Sequence, residues 1–143
     1  MIEVTGLAEL RAKLTALPEK LDGASREAAI GGAKLMEVET QRLLGLRSHP
    51  RGTPTPSPRG APPAKISGDL QGSVQSGPPE GGAGTYRVSV QSGLVYSWVQ
   101  EYGGPVGRGA TLPARPYVRP GRDNVALAAI RLAGEIWMAA LAE

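Results

Sequence analysis

Six of the chain's 13 prolines (Pro50, Pro54, Pro56, Pro58, Pro62 and Pro63) fall between Ser48 and Ala64, with Gly52 and Gly60 among them. Proline has no N–H to donate and a fixed φ, so neither a helix nor a central strand can run through such a stretch. The segment is expected to be extended and polyproline-like. Unstructured connections beyond about 12–15 residues are uncommon inside a compact domain. The stretch therefore reads as a disordered linker or as an arm that a partner orders, with bounds at residues 47–66.

On either side of this arm the pattern is that of a folded domain. Ile2-Glu3-Val4 alternates like a short strand, and Thr5 is a candidate N-cap. Leu7, Leu10, Leu14, Leu17 and Leu21 then repeat at a 3-4-3-4 spacing, the narrow apolar stripe of an amphipathic helix. Pro18 should end or kink that helix near Leu17. A second helix, capped by Asp22 or Ser25, should run to about Leu44 with a small face of Ala24, Ala28, Ala29, Gly31, Gly32 and Ala33. The glycine pair suits close packing, with a hinge as the other reading.

Beyond the arm, Ser67-Gly68-Asp69-Leu70 opens a short turn or helix leading into Ser73-Val74-Gln75. A turn over 77–84 follows. In the strand that comes next, Tyr86, Val88 and Val90 face one way and Arg87, Ser89 and Gln91 the other, so the two segments form a β-hairpin. Val95 to Tyr102 is open between strand and helix, and Gly103-Gly104 ends it. After a loop over 103–121, Asp123 or Asn124 should cap a terminal helix. That helix carries two apolar stripes, Leu127-Ile130-Gly134-Trp137-Leu141 and Val125-Ala129-Leu132-Ile136-Ala140. An apolar arc this wide is expected to be covered twice, by the protein's own sheet and by a neighbouring subunit. Arg131 and Glu135 interrupt it at a spacing that suits an ion pair and would be costly in a bilayer. The reading is a soluble protein with no membrane partner.

The fold class is α+β: N-terminal helices and a C-terminal helix packed on a small antiparallel sheet, in one domain over residues 1–143. With no Phe and only six aromatic residues, its core must be small and aliphatic.

Charge is distributed unevenly behind a net value of +3. Arg47, Arg51, Arg59 and Lys65 lie in the arm, and Arg108, Arg115, Arg119 and Arg122 lie in or just after the second loop, with no acid in either stretch. The rest of the chain has eight bases against all 13 acids and is acidic. Two basic, Pro/Gly-rich loops on an acidic body suit contact with nucleic acid backbone or with an acidic protein surface. With only Tyr117 among them, base stacking is not expected. The same charges would also serve simply to keep mobile loops in solution.

No chemistry assembles from the remaining residues. There is no cysteine, so thiolate sites are excluded, and with His49 the only histidine a multi-histidine metal site or a conventional Ser-His-Asp triad has little to work with. Glu37 and Glu39 diverge on a helix and read as a solvated face. Asp69 suits a helix start. The glycines over 81–84 belong to a hairpin turn and lack the Lys-Ser/Thr of a phosphate loop. Glu101 near Tyr102 and Arg108 reads as a structural ion pair before it reads as a base. No enzyme activity, metal or cofactor is expected.

Three blocks, in order, carry a resemblance. They are Ile2-Glu3-Val4-Thr5-Gly6-Leu7-Ala8-Glu9-Leu10 before an Ala-rich helix, Pro62-Pro63-Ala64-Lys65-Ile66-Ser67-Gly68-Asp69-Leu70-Gln71-Gly72-Ser73, and Tyr96-Ser97-Trp98-Val99-Gln100-Glu101-Tyr102-Gly103 followed by Pro113-Ala114-Arg115-Pro116-Tyr117-Val118-Arg119-Pro120. In these the chain resembles the tail-component or neck-protein family of long-tailed bacteriophages. The resemblance implies a structural virion protein forming a ring, commonly hexameric, between head connector and tail, through which DNA passes. Its partners would be further copies of itself, the head-closure or connector protein, and the tail terminator or tail tube. It would be found in the virion neck, and in the host cytoplasm during assembly. Tyr96, Trp98, Glu101, Tyr102, Tyr117 and Trp137 become candidate subunit contacts, and the eight basic residues candidate contacts to DNA or acidic partners. A tail terminator or minor tail protein is the neighbouring alternative. A basic nucleic-acid-binding adaptor is the alternative of another class.

Overall fold

A computed structural model describes residues 6–53 and 57–142. The expected strand at Ile2–Val4 and the Thr5 cap lie outside them. The order is α1 (Leu7–Leu44), α2 (Asp69–Ser73), β1 (Val74–Ser76), β2 (Glu80–Gly82), β3 (Thr85–Arg87), β4 (Val90–Ser92), α3 (Ser97–Tyr102), β5 (Gly104–Pro105), β6 (Thr111–Leu112) and α4 (Val118–Ala142). The class is α+β, as expected. The sheet is three separate two-stranded antiparallel ribbons, β1-β4, β2-β3 and β5-β6.

The two expected N-terminal helices are one. α1 runs through Pro18 for 38 residues, about 57 Å at 1.5 Å per residue. The proline ring is locked at a helical φ, and the hydrogen bond it cannot donate lies on an exposed stretch where water can serve the freed carbonyl. The leucine stripe is therefore continuous with the small-residue face: Leu7, Leu10, Leu14, Leu17, Leu21, Ala24, Ala28, Gly31 and Leu35 form a single 3-4 repeat. α1 ends at Gly45, whose N–H reaches the carbonyls of Gln41 (3.1 Å) and Arg42 (3.0 Å).

α4 packs antiparallel on the second half of α1, not on a sheet. Its residues Gly121, Ala129 and Leu132 sit at Thr40, Gly32 and Gly31 respectively. A Cβ on Gly31 would lie 2.8 Å from Leu132 Cδ2, and one on Gly121 would collide with the hydroxyl of fully buried Thr40. Close packing, rather than a hinge, is what these glycines permit. Asn124 Nδ2 donates to Glu39 Oε1 at 2.7 Å across the same seam.

The β ribbon covers another side of α1. β1 and β4 pair Val74 with Ser92 and Ser76 with Val90, and β2-β3 continues the hairpin outward. The expected single strand after residue 84 is thus two short ones, with half-buried Tyr86, Val88 and Val90 alternating as their spacing predicts. Ala83 (φ 51°) and Gly84 (φ 80°) turn the hairpin with two positive φ values, the geometry of a type I′ turn.

Glu37 and Glu39 are not a solvated face. Glu37 is 7% exposed; its Oε2 accepts the Ser76 N–H (2.8 Å) and Oγ–H (2.7 Å), and Lys34 holds Oε1. Lys34 first, and then Ser76, bring the Glu37 carboxyl down to about 2. Glu39, gripped by Arg42 and Asn124, is also down at about 2. At the ribbon's tip Asp22 accepts the Gly84 N–H and the Tyr86 hydroxyl, both at 2.7 Å. These two bonds lower the Asp22 pKa, and the Asp22 bond raises that of Tyr86.

The most enclosed apolar residues are Leu44, Val74 and Tyr117, flanked by Leu70, Val90 and Val118. They meet where α1 ends and α4 begins. By length and composition α4 would also pass for a membrane span, with 25 residues and a mean hydropathy of 1.7 over its best window. Here its Ala129-Leu132 face is taken up by α1.

Candidate functional site

The C-terminal end of α1 and the N-terminal end of α4 lie together, so both basic stretches leave from the same end of the molecule. The arm is closed at its base: Lys65 N–H donates to the Arg47 carbonyl (2.7 Å) and His49 N–H to the Lys65 carbonyl (3.1 Å). Farther along, Gly60 N–H donates to the Ala114 carbonyl at 3.1 Å and ties the arm to the second loop. Sequence composition suggested disorder in isolation; these backbone bonds give the described part of the segment a defined seat.

Within this end the eight basic residues have different situations. Arg47, Arg51, Arg59, Lys65 and Arg108 are exposed. Arg108 tips the β5-β6 hairpin at φ 49°, between Gly107 (φ 86°) and Gly109 (φ 75°). A left-handed backbone costs a residue with a Cβ about 1–2 kcal/mol, so the loop presents this arginine at some expense. Arg122 is exposed but pairs with Asp123 at 2.7 Å.

Arg115 departs from its expected role as a surface contact. It is 8% exposed, its N–H donates to the Gln100 carbonyl (2.8 Å), and it lines a cavity of about 240 Å³ with His49, Ser57 and Gln100. It is a post between the two loops. Arg119 and Arg122 lie in α4, which begins at Val118, so the expected 103–121 loop ends four residues early.

That early start has a cause the local sequence does not show. Neither Asp123 nor Asn124 caps α4. Glu101, buried in α3, accepts the N–H groups of Tyr117 (2.7 Å), Val118 (2.9 Å) and Arg119 (3.1 Å). Its negative charge meets the positive end of the helix dipole, and Pro120 falls in the first turn, where a missing N–H costs nothing. Glu101 is thus neither a base, nor paired with Arg108, nor a surface contact. Tyr117, 1% exposed, is also interior rather than interfacial. Burial first, and the Glu101 charge second, push its phenol up to about 12.

The remaining aromatic candidates are at the surface. The rings of Trp98 and Tyr102 meet on α3 with centroids 5.1 Å apart and a tilt of 42°, and the Arg119 guanidinium lies 5.9 Å above the Tyr102 ring. Tyr96 is exposed beside them and borders a cavity of about 320 Å³ shared with Arg51 and Lys65. Arg119 over an exposed aromatic pair makes a cationic ledge next to the basic loops. Trp137 is elsewhere, on the outward face of α4, with exposed Leu127, Ile130, Met138 and Leu141.

Among the described residues no group of three or more metal-ligating side chains comes together. His49 Nδ1 lies 3.0 Å from the Pro50 carbonyl. The chain matches no protein-family model, no curated protein and no solved structure.

Proposed function

We propose that this chain is a structural subunit of a ring at the neck of a long-tailed bacteriophage, joining the head connector to the tail and letting DNA pass. The observation that carries this reading is the segregation of the surface. Cationic loops and an aromatic ledge share one end, while the sides of α1 and α4 bear long apolar stripes left largely uncovered by the described residues. Exposed apolar surface on this scale marks an interaction site. Copies arranged around an axis would bury the stripes between neighbours and present the basic ends together, toward DNA or toward acidic adjoining rings. The chain would act by assembly, without catalysis.

The test is mass and particle content. The full chain should sediment as a closed oligomer and be found in virions at a few copies. Deleting 53–60 should leave the helical signal intact and block joining of heads to tails. A chain that stays monomeric, is missing from particles and binds duplex DNA tightly by itself would replace this reading with that of a nucleic-acid adaptor. Particles with full-length but frayed tails would instead favour a tail terminator.

A further inference from the structure

Two stripes match each other in period and length, the α1 one exposed at Leu7, Leu10 and Leu14 and half-buried at Leu17 and Leu21. On α1 the stripe is Leu7-Leu10-Leu14-Leu17-Leu21; on α4 it is Leu127-Ile130-Gly134-Trp137-Leu141. Both follow the 3-4 spacing of a helix-pairing seam and run about 21 Å. Leu7 and Leu14 are each 59% exposed, Leu127 70% and Ile130 68%. The α1 stripe continues, in phase, the face that farther along is covered by α4 of the same chain. The bare half of that face thus calls for another helix of the α4 kind.

Charge selects among the partners. Arg11, Lys13 and Lys20 flank the α1 seam, Lys13 being paired with Glu9 at 3.3 Å, so two such seams laid together would set Arg11 and Lys20 against like charges. The α4 seam is flanked chiefly by alanine (Ala126, Ala133, Ala140), with Arg131 the single base. At its centre is Gly134, where an added Cβ would touch nothing within 4 Å. That is a notch in an exposed helix, at the position matching Leu14 in the other stripe.

We infer that the leucine seam of α1 docks on the outward face of α4 of a second copy, with Leu14 seated at Gly134. The two surfaces differ, so each copy gives one and receives one, and the contact repeats head to tail until it closes. This deepens the ring reading and rests on it.

The chain has no cysteine, which makes the test clean. Within one chain Leu14 and Gly134 cannot meet: α4 reaches Gly31 at Leu132, and α1 rises about 25 Å between Leu14 and Gly31. The full-length double variant Leu14→Cys/Gly134→Cys should give a ladder of covalent oligomers on mild oxidation. Each single variant should give none, and the two mixed should give dimers only. Leu14→Asp, at an exposed position, should keep the helical circular dichroism and shift the oligomer to monomer.

A covalent dimer from Leu14→Cys alone would overturn the pairing in favour of α1 on α1. Binding of the wild-type chain to phosphatidylcholine vesicles, with no ladder from the double variant, would overturn it in favour of a lipid surface. Rings that persist in Leu14→Asp while the double variant gives no ladder would overturn the pairing and leave the ring standing. A wild-type chain that is monomeric in solution and in particles would remove both.

Discussion

Glu101 accepts the backbone N–H of Tyr117 at 2.7 Å, so a side chain on the six-residue helix α3 sets where the 25-residue helix α4 begins. The same carboxylate serves Val118 and Arg119. Hydrogen bonds to a charged group are worth about 1.5–3 kcal/mol each in stability studies. Glu101→Ala is therefore expected to cost about 2–4 kcal/mol, read as a lower urea midpoint with an unchanged slope. Glu101→Gln should recover part of the loss, because one amide oxygen can still accept.

Acid should loosen the contacts of α1 before it unfolds the helix itself. Glu37 and Glu39 are held near 2 in the folded chain, below an ordinary value of 4.5. A lowered carboxyl contributes stability that is complete above its unfolded value and is lost as pH falls through the folded one. Stability should accordingly decline between about pH 4.5 and pH 2. Glu37→Gln should flatten that decline, measured by thermal melts across the range. At the alkaline end Tyr117, raised to about 12, works in the opposite sense: its contribution is complete below pH 10 and fades toward pH 12. Phenolate absorbance should show late titration in which Tyr86, raised by Asp22, also takes part, and Tyr117→Phe should remove the part near pH 12.

The basic residues should separate into two groups under mutation. Arg59→Ala and Arg108→Ala are surface changes, expected to alter stability by no more than about 0.5 kcal/mol. If they face DNA, each lost phosphate contact should reduce the salt slope of duplex binding by roughly 0.9. Arg115→Ala should instead lower the melting temperature, because it empties a buried post between the loops. Equal stability losses in all three variants would contradict this division.

Two glycines of α4 should respond with opposite sign. Gly121→Ala pushes a methyl into Thr40 and should cost about 1–3 kcal/mol through overpacking. Gly134→Ala meets open space and should stabilise the isolated chain by about 0.5–1 kcal/mol through helix propensity. Chemical denaturation of both variants at low protein concentration, where assembly does not contribute, is the relevant comparison.

The periodic parts of this fold were legible in the sequence. Leucine spacing marked α1, the double stripe marked α4, and the alternation at Tyr86, Val88 and Val90 marked the ribbon. Most of the misreadings share one cause: a local signal was overruled by a residue far away. Asp123 and Asn124 have the chemistry of caps, but Glu101 supplies the cap from another helix. Glu37 and Glu39 point different ways on α1, and each finds a separate partner, Ser76 on β1 and Asn124 on α4. Pro18 carried the usual warning of a helix end, yet its surroundings tolerate it. At the candidate site, clustered charge was readable, whereas the burial of Arg115 and Tyr117 depended on how the two loops meet.

Thr40 and Gly121 touch across more than half of the chain's 143 positions. The contact that organises the molecule therefore closes a very long loop, the kind that slows folding. α1 is made first and α4 after everything between them, so during synthesis α1 waits with its apolar face bare along its whole length. A nascent chain in that condition is exposed to pairing with other nascent chains.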